Sequence, residues 1–405
     1  DLELKLAGWD FDTNITKEFE LSGMPNNKKE GYADYVLFGK NGLPLAVVEA
    51  KRTSVDPRVG QHQAKLYADC IEAEFCQRPV IYYTNGYEIY MWDDKEYAPR
   101  KVSGFYTQSE LQLLIDRRKS KQSLSHVHID TNIAGREYQL EAIKSVCETF
   151  EEGHRKALLV MATGTGKTRT AISIVKTLTE QNWAKNILFL ADRTVLVKQA
   201  KNNFTKLLPN MSCCNLLNSK DNPEDSRIVF STYQTMINAI DDMKSKDGNK
   251  LFTPGHFDLI IVDEAHRSHY GLDATIKFDK AKMEAYKKYG TAKYLHDAFP
   301  NATYIGFTGT PVETKDKSTT NVFGDIIDTY DMTQAIMDGA TVPIMYESRM
   351  ARVGLNQKIL DGIDDYYNML ETEEGIDDYK IAESKKAMAT MKQIIEDPDR
   401  LEMIV

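Results

Sequence analysis

Residues 161–168 read Met161-Ala162-Thr163-Gly164-Thr165-Gly166-Lys167-Thr168, and about a hundred residues later comes Asp263-Glu264-Ala265-His266. Each box follows a short apolar run, Ala157–Val160 and Leu259–Val262, of the kind that forms a buried strand. Gly164 and Gly166, flanked by Thr163 and Thr165, let the backbone approach a polyphosphate and turn its N–H groups inward. The helix expected to follow adds the positive end of its dipole. In this spacing Lys167 reaches the β- and γ-phosphates and the Thr168 hydroxyl ligates magnesium. Asp263 holds that magnesium from the next strand end, and Glu264 orients or activates the attacking water. Gly-Thr-Gly-Lys-Thr alone could be a flexible turn; the acidic box after a second strand selects a nucleotide site. Met161 stands where such loops usually begin with glycine, and the two later glycines carry the steric load. The expected cofactors are therefore ATP and Mg2+.

Around these boxes strands and helices alternate. The expected strands are Ala157–Val160, Ile187–Ala191, Ile228–Ser231, Leu259–Val262 and Thr303–Phe307, most of them running into a polar turn. That pattern predicts a doubly wound parallel sheet with its ligand at the carboxyl strand ends. After Pro311 a long crossing leads to a helix over Met332–Gly339, and the last fifty residues read as helical and acidic. The first hundred residues read differently, with strands at Tyr35–Phe38, Leu45–Ala50, Val80–Thr84 and Glu88–Trp92 and a helix over Arg58–Cys76. Residues 103–132 are polar and charged, with one amphipathic helix at Ser109–Arg117, and read as a linker.

The bulk properties agree with an α/β protein of two to three domains. The chain has 405 residues, 42% hydrophobic and 27% charged. No stretch approaches the roughly 20 apolar residues that span a bilayer, and no signal peptide is visible, so no membrane partner and a cytoplasmic location are expected. The five cysteines form no C-x-x-C pair and no zinc pattern, and read as reduced thiols. The net charge of −9 argues against nucleic acid, but the acidity is local: from Gly354 onward there are 13 Asp/Glu against 6 Lys/Arg. The rest is near neutral and leaves room for a basic groove.

A second chemical centre lies in the first fifty residues. Asn41-Gly42 is a strong hairpin signal. With that pair as a two-residue turn, Lys40 faces Leu43, and counting outward sets Asp34 across from Glu49. Their Cβ atoms would stand roughly 5 Å apart. Lys51 projects to the same face and Ala50 to the other. Two carboxylates and a lysine at one spot suit a magnesium-assisted hydrolase: Asp34 and Glu49 hold the metal, and Lys51 positions or deprotonates a water. The alternative is a surface hairpin with scattered charges. Leu45–Val48 is apolar on both faces, which makes the strand central and favours the site. Gln63 and Tyr67 stand one helical turn apart, a polar pair able to orient metal, water or a phosphate.

With both centres in view, the chain resembles the motor and endonuclease (R) subunit of type I restriction enzymes along nearly its whole length. Gly31-Tyr32-Ala33-Asp34-Tyr35 and Val48-Glu49-Ala50-Lys51-Arg52 resemble the PD-(D/E)xK nuclease core of that family, and Gln63-Ala64-Lys65-Leu66-Tyr67 its accompanying Gln-x-x-x-Tyr signature. The motor half resembles superfamily 2 helicases and translocases. Arg136-Glu137-Tyr138-Gln139 matches their adenine-reading segment, which implies nucleotide contacts for Arg136 and Gln139. Ala191-Asp192-Arg193 and Ser231-Thr232-Tyr233-Gln234 match DNA-contacting segments, implying Arg193 and Thr232. Thr308-Gly309-Thr310-Pro311 matches the coupling segment, implying that His266, Thr308 and Thr310 link hydrolysis to movement.

The resemblance implies a restriction-endonuclease-like nuclease domain over 1–108, a linker over 109–132, a RecA-like ATPase lobe over 133–330 and the start of a second motor lobe over 331–405. It implies ATP-driven translocation on double-stranded DNA, magnesium-dependent cleavage, and assembly with methylation and specificity subunits in a bacterial or archaeal cytoplasm. Two departures qualify this. Gln334–Val342 resembles only the start of a second lobe, and no motif with that lobe's arginine finger follows. Leu6–Asp10 reads as the tail of a helix whose start is missing, a helix that in this family can supply an acid to the nuclease. The chain, which opens at Asp1 without Met, is therefore read as a fragment or truncated product with weak ATP turnover by itself. The competing readings are a repair helicase-nuclease, a DEAH-type RNA helicase, and a truncated chain that binds ATP and DNA without turning over either.

Overall fold

The computed structural model describes residues 1–343 apart from 26, 28, 247, 268–274, 280–283, 289–290, 312 and 315–316. The expected acidic helical tail lies outside the described residues. After a short helix α1 (Leu2–Leu6), the first sheet runs in the order β1 (Ile15–Ser22), β2 (Glu30–Phe38), β3 (Pro44–Ala50), β4 (Val80–Thr84), β5 (Ile89–Trp92) and β6 (Arg100–Val102). Only β3 and β4 pair in parallel, because a 3-10 turn (Pro57–Gly60) and helix α2 (Gln61–Phe75) carry the chain back between them. Every residue of β3 except Ala50 is buried, as expected of a central strand. Ala64, Tyr67, Ala68 and Ile71 of α2 pack with Val47, Ile81 and Tyr83 on one face. Leu45, Val48, Val80 and Tyr82 pack with Trp9 and Tyr106 on the other.

The β2–β3 turn differs from expectation while the register does not. Gly39 N–H donates to Leu43 O at 2.9 Å, so the loop has three residues, with Gly42 left-handed at φ +74°. Phe38 then faces Pro44, and Leu37 faces Ala46, which leaves Leu45 as the extra residue of a bulge. The longer loop and the bulge cancel. Tyr35 still faces Val48, and Asp34 is level with Glu49.

The segment read as a linker contains the helix expected at Ser109–Arg117, α3 (Gln108–Ser120), packed against the fold and opened by a reciprocal Thr107–Glu110 capping box. Leu111 and Ile115 join the core of the first sheet. From the end of α3, Arg117 donates to Asp258 at 2.8 Å, and Asp258 also accepts from Lys185 N–H and Asn186 N–H at 2.9 and 3.0 Å. Lys121 lies 3.7 Å over the Trp183 ring, whose Nε1 donates to Gln122 O at 2.7 Å. Residues 1–342 accordingly form one compact unit.

Asp258 is only 1% exposed and Arg117 14%. Arg117→Ala would leave a buried carboxylate with neutral donors alone, so a loss of about 3 kcal/mol is expected. Chemical denaturation measures it; a loss below about 0.5 kcal/mol, typical of a surface pair, would mean that this contact does not brace α3.

The second sheet follows α4 (Glu137–Glu151). Its chain order is β7 (Lys156–Met161), α5 (Lys167–Glu180), β8 (Ile187–Ala191), α6 (Thr194–Leu207), β9 (Cys213–Asn215), β10 (Ile228–Thr232), α7 (Tyr233–Asp242) and β11 (Leu259–Val262). Two antiparallel ribbons, β12 (Thr275–Asp279) with β13 (Glu284–Lys288) and β15 (Glu313–Thr314) with β16 (Lys317–Ser318), flank α8 (Thr291–Ala298) and β14 (Thr303–Thr308). Helix α9 (Thr319–Phe323), β17 (Ile326–Tyr330) and α10 (Met332–Met337) complete it. The strand order is β17-β7-β14-β11-β8-β10-β9, and every pair is parallel. This is the expected doubly wound α/β sheet, with two added edge strands. No described helix is long and apolar enough to cross a membrane.

Candidate active sites

The phosphate-loop sequence forms the turn between β7 and α5, at the carboxyl edge of the second sheet. Gly164 and Gly166 both take left-handed φ, +85° and +91°. Gly166 is constrained twice, since a Cβ there would stand 2.6 Å from Gln139 Nε2. Lys167 Nζ donates to Glu264 Oε1 at 2.8 Å across the β7–β14–β11 strand ends, with both side chains largely sheltered. Glu264 is itself left-handed at φ +51°, a conformation that costs a non-glycine residue on the order of 1 kcal/mol. Its N–H donates to Asp263 Oδ1 at 3.0 Å, which, with the Lys167 contact, holds that turn.

Burial pushes the Asp263 carboxyl above its usual range, and the Lys167 charge opposes that shift. His266 Nδ1 and Thr308 Oγ1 share a hydrogen bond of 2.9 Å, and His266 stands 3.5 Å from Glu264 Oε2. Thr310 N–H donates to Thr308 Oγ1 at 3.2 Å. The acidic box and Thr308 of β14 are thus joined through one imidazole.

Arg136 caps α4, and Gln139 Oε1 accepts from its N–H at 3.3 Å. Gln139 Nε2 and the Tyr138 hydroxyl both donate to Thr165 O, at 3.1 and 2.8 Å. The Arg136–Gln139 segment therefore grips the Gly164–Gly166 loop by its backbone. Thr163 is exposed and Thr165 buried within that loop, and Thr168 lies in the first turn of α5. Arg193 is 68% exposed beyond β8, beside Asp192, and Thr232 caps α7 at the end of β10. Those two lie at neighbouring strand ends, past β11 from the phosphate loop.

The second cluster lies on the α2 face of the first sheet. Asp34 Oδ2 accepts from Ala50 N–H at 2.6 Å. Lys51 Nζ donates to Glu49 Oε1 at 2.5 Å and to Gln63 Oε1 at 2.8 Å. Gln63 Nε2 in turn donates to the Tyr67 hydroxyl. Glu49 and Tyr67 are each 3% exposed. Burial raises the Glu49 pKa, the Lys51 hydrogen bond opposes it, and the Asp34 charge adds to it. All five expected residues are thus brought together. Among the described residues no three His, Cys, Asp or Glu side chains form a closed metal site. Two carboxylates suit Mg2+, which keeps waters and shares its shell with phosphates. Asp10, from the expected N-terminal helix tail, instead accepts from Asp12 N–H and Thr13 Oγ1 in a local turn.

Three neighbours escaped the sequence reading. A Cβ on Gly60 would stand 3.1 Å from both Glu49 Cγ and Lys51 Cε, so this glycine leaves room for the acid–lysine pair. Glu18, exposed at φ +48°, is level with Asp34 across β1, since Lys17 faces Tyr35 and Phe19 faces Ala33. The ring of Tyr330 stacks on Tyr138 at 3.7 Å. A glycine or glutamate among many carries no signal by itself; register and packing are needed to single these out.

Comparison with known proteins gives two family matches. Residues 138–392 match the SWI2/SNF2 ATPase family, and residues 4–100 match the type I restriction enzyme R protein N terminus. The EcoAI endonuclease subunit of a type I restriction enzyme from Escherichia coli is 32% identical over 358 residues, covering 83% of this chain and 41% of that protein. The EcoKI endonuclease subunit of Escherichia coli strain K12 is 27% identical over 429 residues, 88% of this chain and 36% of that one. The chain thus spans about two fifths of the curated relatives it matches. A fragment structure assigned to an HsdR subunit of a type I restriction enzyme from Vibrio vulnificus YJ016 is 27% identical. It covers 84% of this chain and 59% of that one, with a TM-score of 0.37.

Proposed function

The chain belongs to the SWI2/SNF2 ATPase family, joined to a type I restriction R-protein N terminus, and on that premise we propose that it is the nuclease and leading motor portion of an ATP-dependent restriction endonuclease subunit. One observation carries this reading. A single compact unit holds two separate acid–lysine centres, Glu49–Lys51 on one sheet and Glu264–Lys167 on the other. Residues 1–108 are assigned to the nuclease, 109–132 to the connecting strut, 133–330 to the first motor lobe and 331–405 to the start of a second.

In the motor, Gly164, Gly166 and Lys167 bind the nucleotide phosphates. Arg136 and Gln139 face the base, and Glu264 orients the water. Thr168 and Asp263 would hold Mg2+, which when bound offsets charge on the phosphates. His266 carries the state of Glu264 to Thr308 and Thr310. Arg193 and Thr232 contact DNA at the same sheet edge. In the nuclease, Asp34 and Glu49 would hold a second Mg2+, which when bound acidifies water. Lys51 positions that water at its ammonium, and Gln63 and Tyr67 fix the lysine.

The partners are double-stranded DNA and the methylation and specificity subunits, in the cytoplasm. The test is ATP hydrolysis by the full-length protein with its partner subunits, with and without duplex DNA. DNA stimulation of at least about tenfold is expected, an effect of the size that ordering a catalytic group gives; an ATPase rate indifferent to DNA would count against a translocase.

A further inference from the structure

We propose that Tyr330 is a positioning residue for adenine-nucleotide binding: stacked on Tyr138, it braces the phosphate loop and ties it to the segment by which the chain leaves the second sheet. This rests on the ATP-binding reading and extends it to a residue outside every motif above. Tyr330 ends β17, opposite Met161, and its carbonyl accepts from Ala162 N–H at 2.9 Å, just where the phosphate loop begins. Its ring lies 3.7 Å from that of Tyr138, with 8° between the planes, and both rings are buried.

Unconstrained aromatic pairs favour offset or edge-on arrangements with centroids about 4.5–7 Å apart. A pair this close and parallel is held from its ends. At one end, the Tyr138 hydroxyl donates to Thr165 O at 2.8 Å and accepts from Arg136 Nη1 at 2.8 Å. At the other, the Tyr330 hydroxyl donates to Asp338 Oδ2 at 2.9 Å, and Asp338 caps α10. A continuous strut therefore runs from the Thr165 carbonyl through two rings to the end of α10.

The nucleotide feels the strut in two ways. Gln139 donates to the same Thr165 carbonyl, so a tilt of Tyr138 moves the acceptor that fixes the Gln139 amide. Beyond α10 the chain returns to the loop, where Thr341 Cγ2 lies 3.8 Å from the position a Cβ on Gly164 would take. The loop is thus braced on both sides by the segment from Tyr330 to Thr341. Losing the stack should loosen the bound geometry of the loop without removing any group that touches the reacting phosphate.

The experiment compares Tyr330→Leu, Tyr330→Phe and the parent in the full-length protein, titrating fluorescent N-methylanthraniloyl-ATP with Mg2+ and measuring ATPase kinetics. Tyr330→Leu should bind roughly three- to tenfold more weakly, the range an aromatic stack supplies, with KM raised in step and kcat within about twofold. Tyr330→Phe keeps the ring but gives up the hydroxyl that anchors it to Asp338, and should bind more tightly than Tyr330→Leu and no better than the parent. The double variant Tyr138→Leu/Tyr330→Leu should bind no worse than Tyr138→Leu alone, because either change removes the same stack. Tyr330→Met fills similar space without a ring and carries the comparison if the leucine variant does not fold. Equal affinity in the parent and the ringless variants overturns the proposal, as does equal weakening by Phe and Leu. A parent that binds no N-methylanthraniloyl-ATP defeats the ATP reading itself, a result distinct from either.

Discussion

Glu49→Ala is expected to abolish cleavage of circular duplex DNA while ATP hydrolysis stays at the parental rate. Glu49 is a nearly fully buried carboxylate whose pKa burial raises, with Asp34 level with it and the Lys51 ammonium 2.5 Å away. A buried acid in that setting favours a cation beside it, and removing it takes away an anionic ligand and the partner that orients Lys51. Cleavage should fall by at least about a hundredfold, since metal-assisted hydrolysis tolerates little misplacement. Lys51→Ala and Asp34→Asn should behave alike. Gln63 would act on the proposed metal only through Lys51, so Gln63→Ala should lose roughly ten- to a hundredfold, as supporting residues around metal sites do. The assay needs the full-length protein, its partner subunits, ATP and Mg2+. A Glu49 variant that cuts like the parent would reduce the hairpin to a structural element and sink the restriction-nuclease reading.

How much of this could be read from the chain follows from the range of the interactions involved. The five long parallel strands were legible because each is a continuous apolar run buried on both faces, as Leu259–Val262 is. The edge strands β9 and β17 were not: Cys213–Asn215 is three residues long, and only Tyr330 of Ile326–Tyr330 is buried. The Asp34–Glu49 pairing was legible because side-chain alternation fixes the face once the register is known. Its turn was misread, since Asn41-Gly42 fits both a two-residue loop and the observed three-residue loop with a bulge.

Residues 103–132 looked like a linker because their polar groups serve long-range partners. Arg117 and Lys121 find Asp258 and Trp183 far along the chain, and local composition carries no trace of either contact. The same limit hid Gly60 and Tyr330. Their roles lie in which distant side chain occupies the space beside them. Motifs announce the groups that touch ligands; the groups that hold those in place are spread through the fold.

Lys167→Ala and Glu264→Gln should both abolish ATP hydrolysis, by at least about a thousandfold, yet separate cleanly in nucleotide binding. In the structure the two side chains share one hydrogen bond of 2.8 Å, so each is poised by the other. On the proposed reading Lys167 supplies the charge that meets the phosphates, and without it the half-buried acids Asp263 and Glu264 would face the nucleotide with no ammonium beside them. Affinity and turnover should therefore fall together. Glu264→Gln keeps the shape of the side chain, and Lys167 can still donate to the amide oxygen, so nucleotide should bind about as tightly as in the parent. The amide cannot accept the water's proton, and turnover is lost. Fluorescent nucleotide titration and phosphate release, measured side by side in the full-length protein, separate the two effects. Parental turnover in Glu264→Gln would remove that residue from the water-orienting role, and unchanged affinity in Lys167→Ala would remove the lysine from the phosphates.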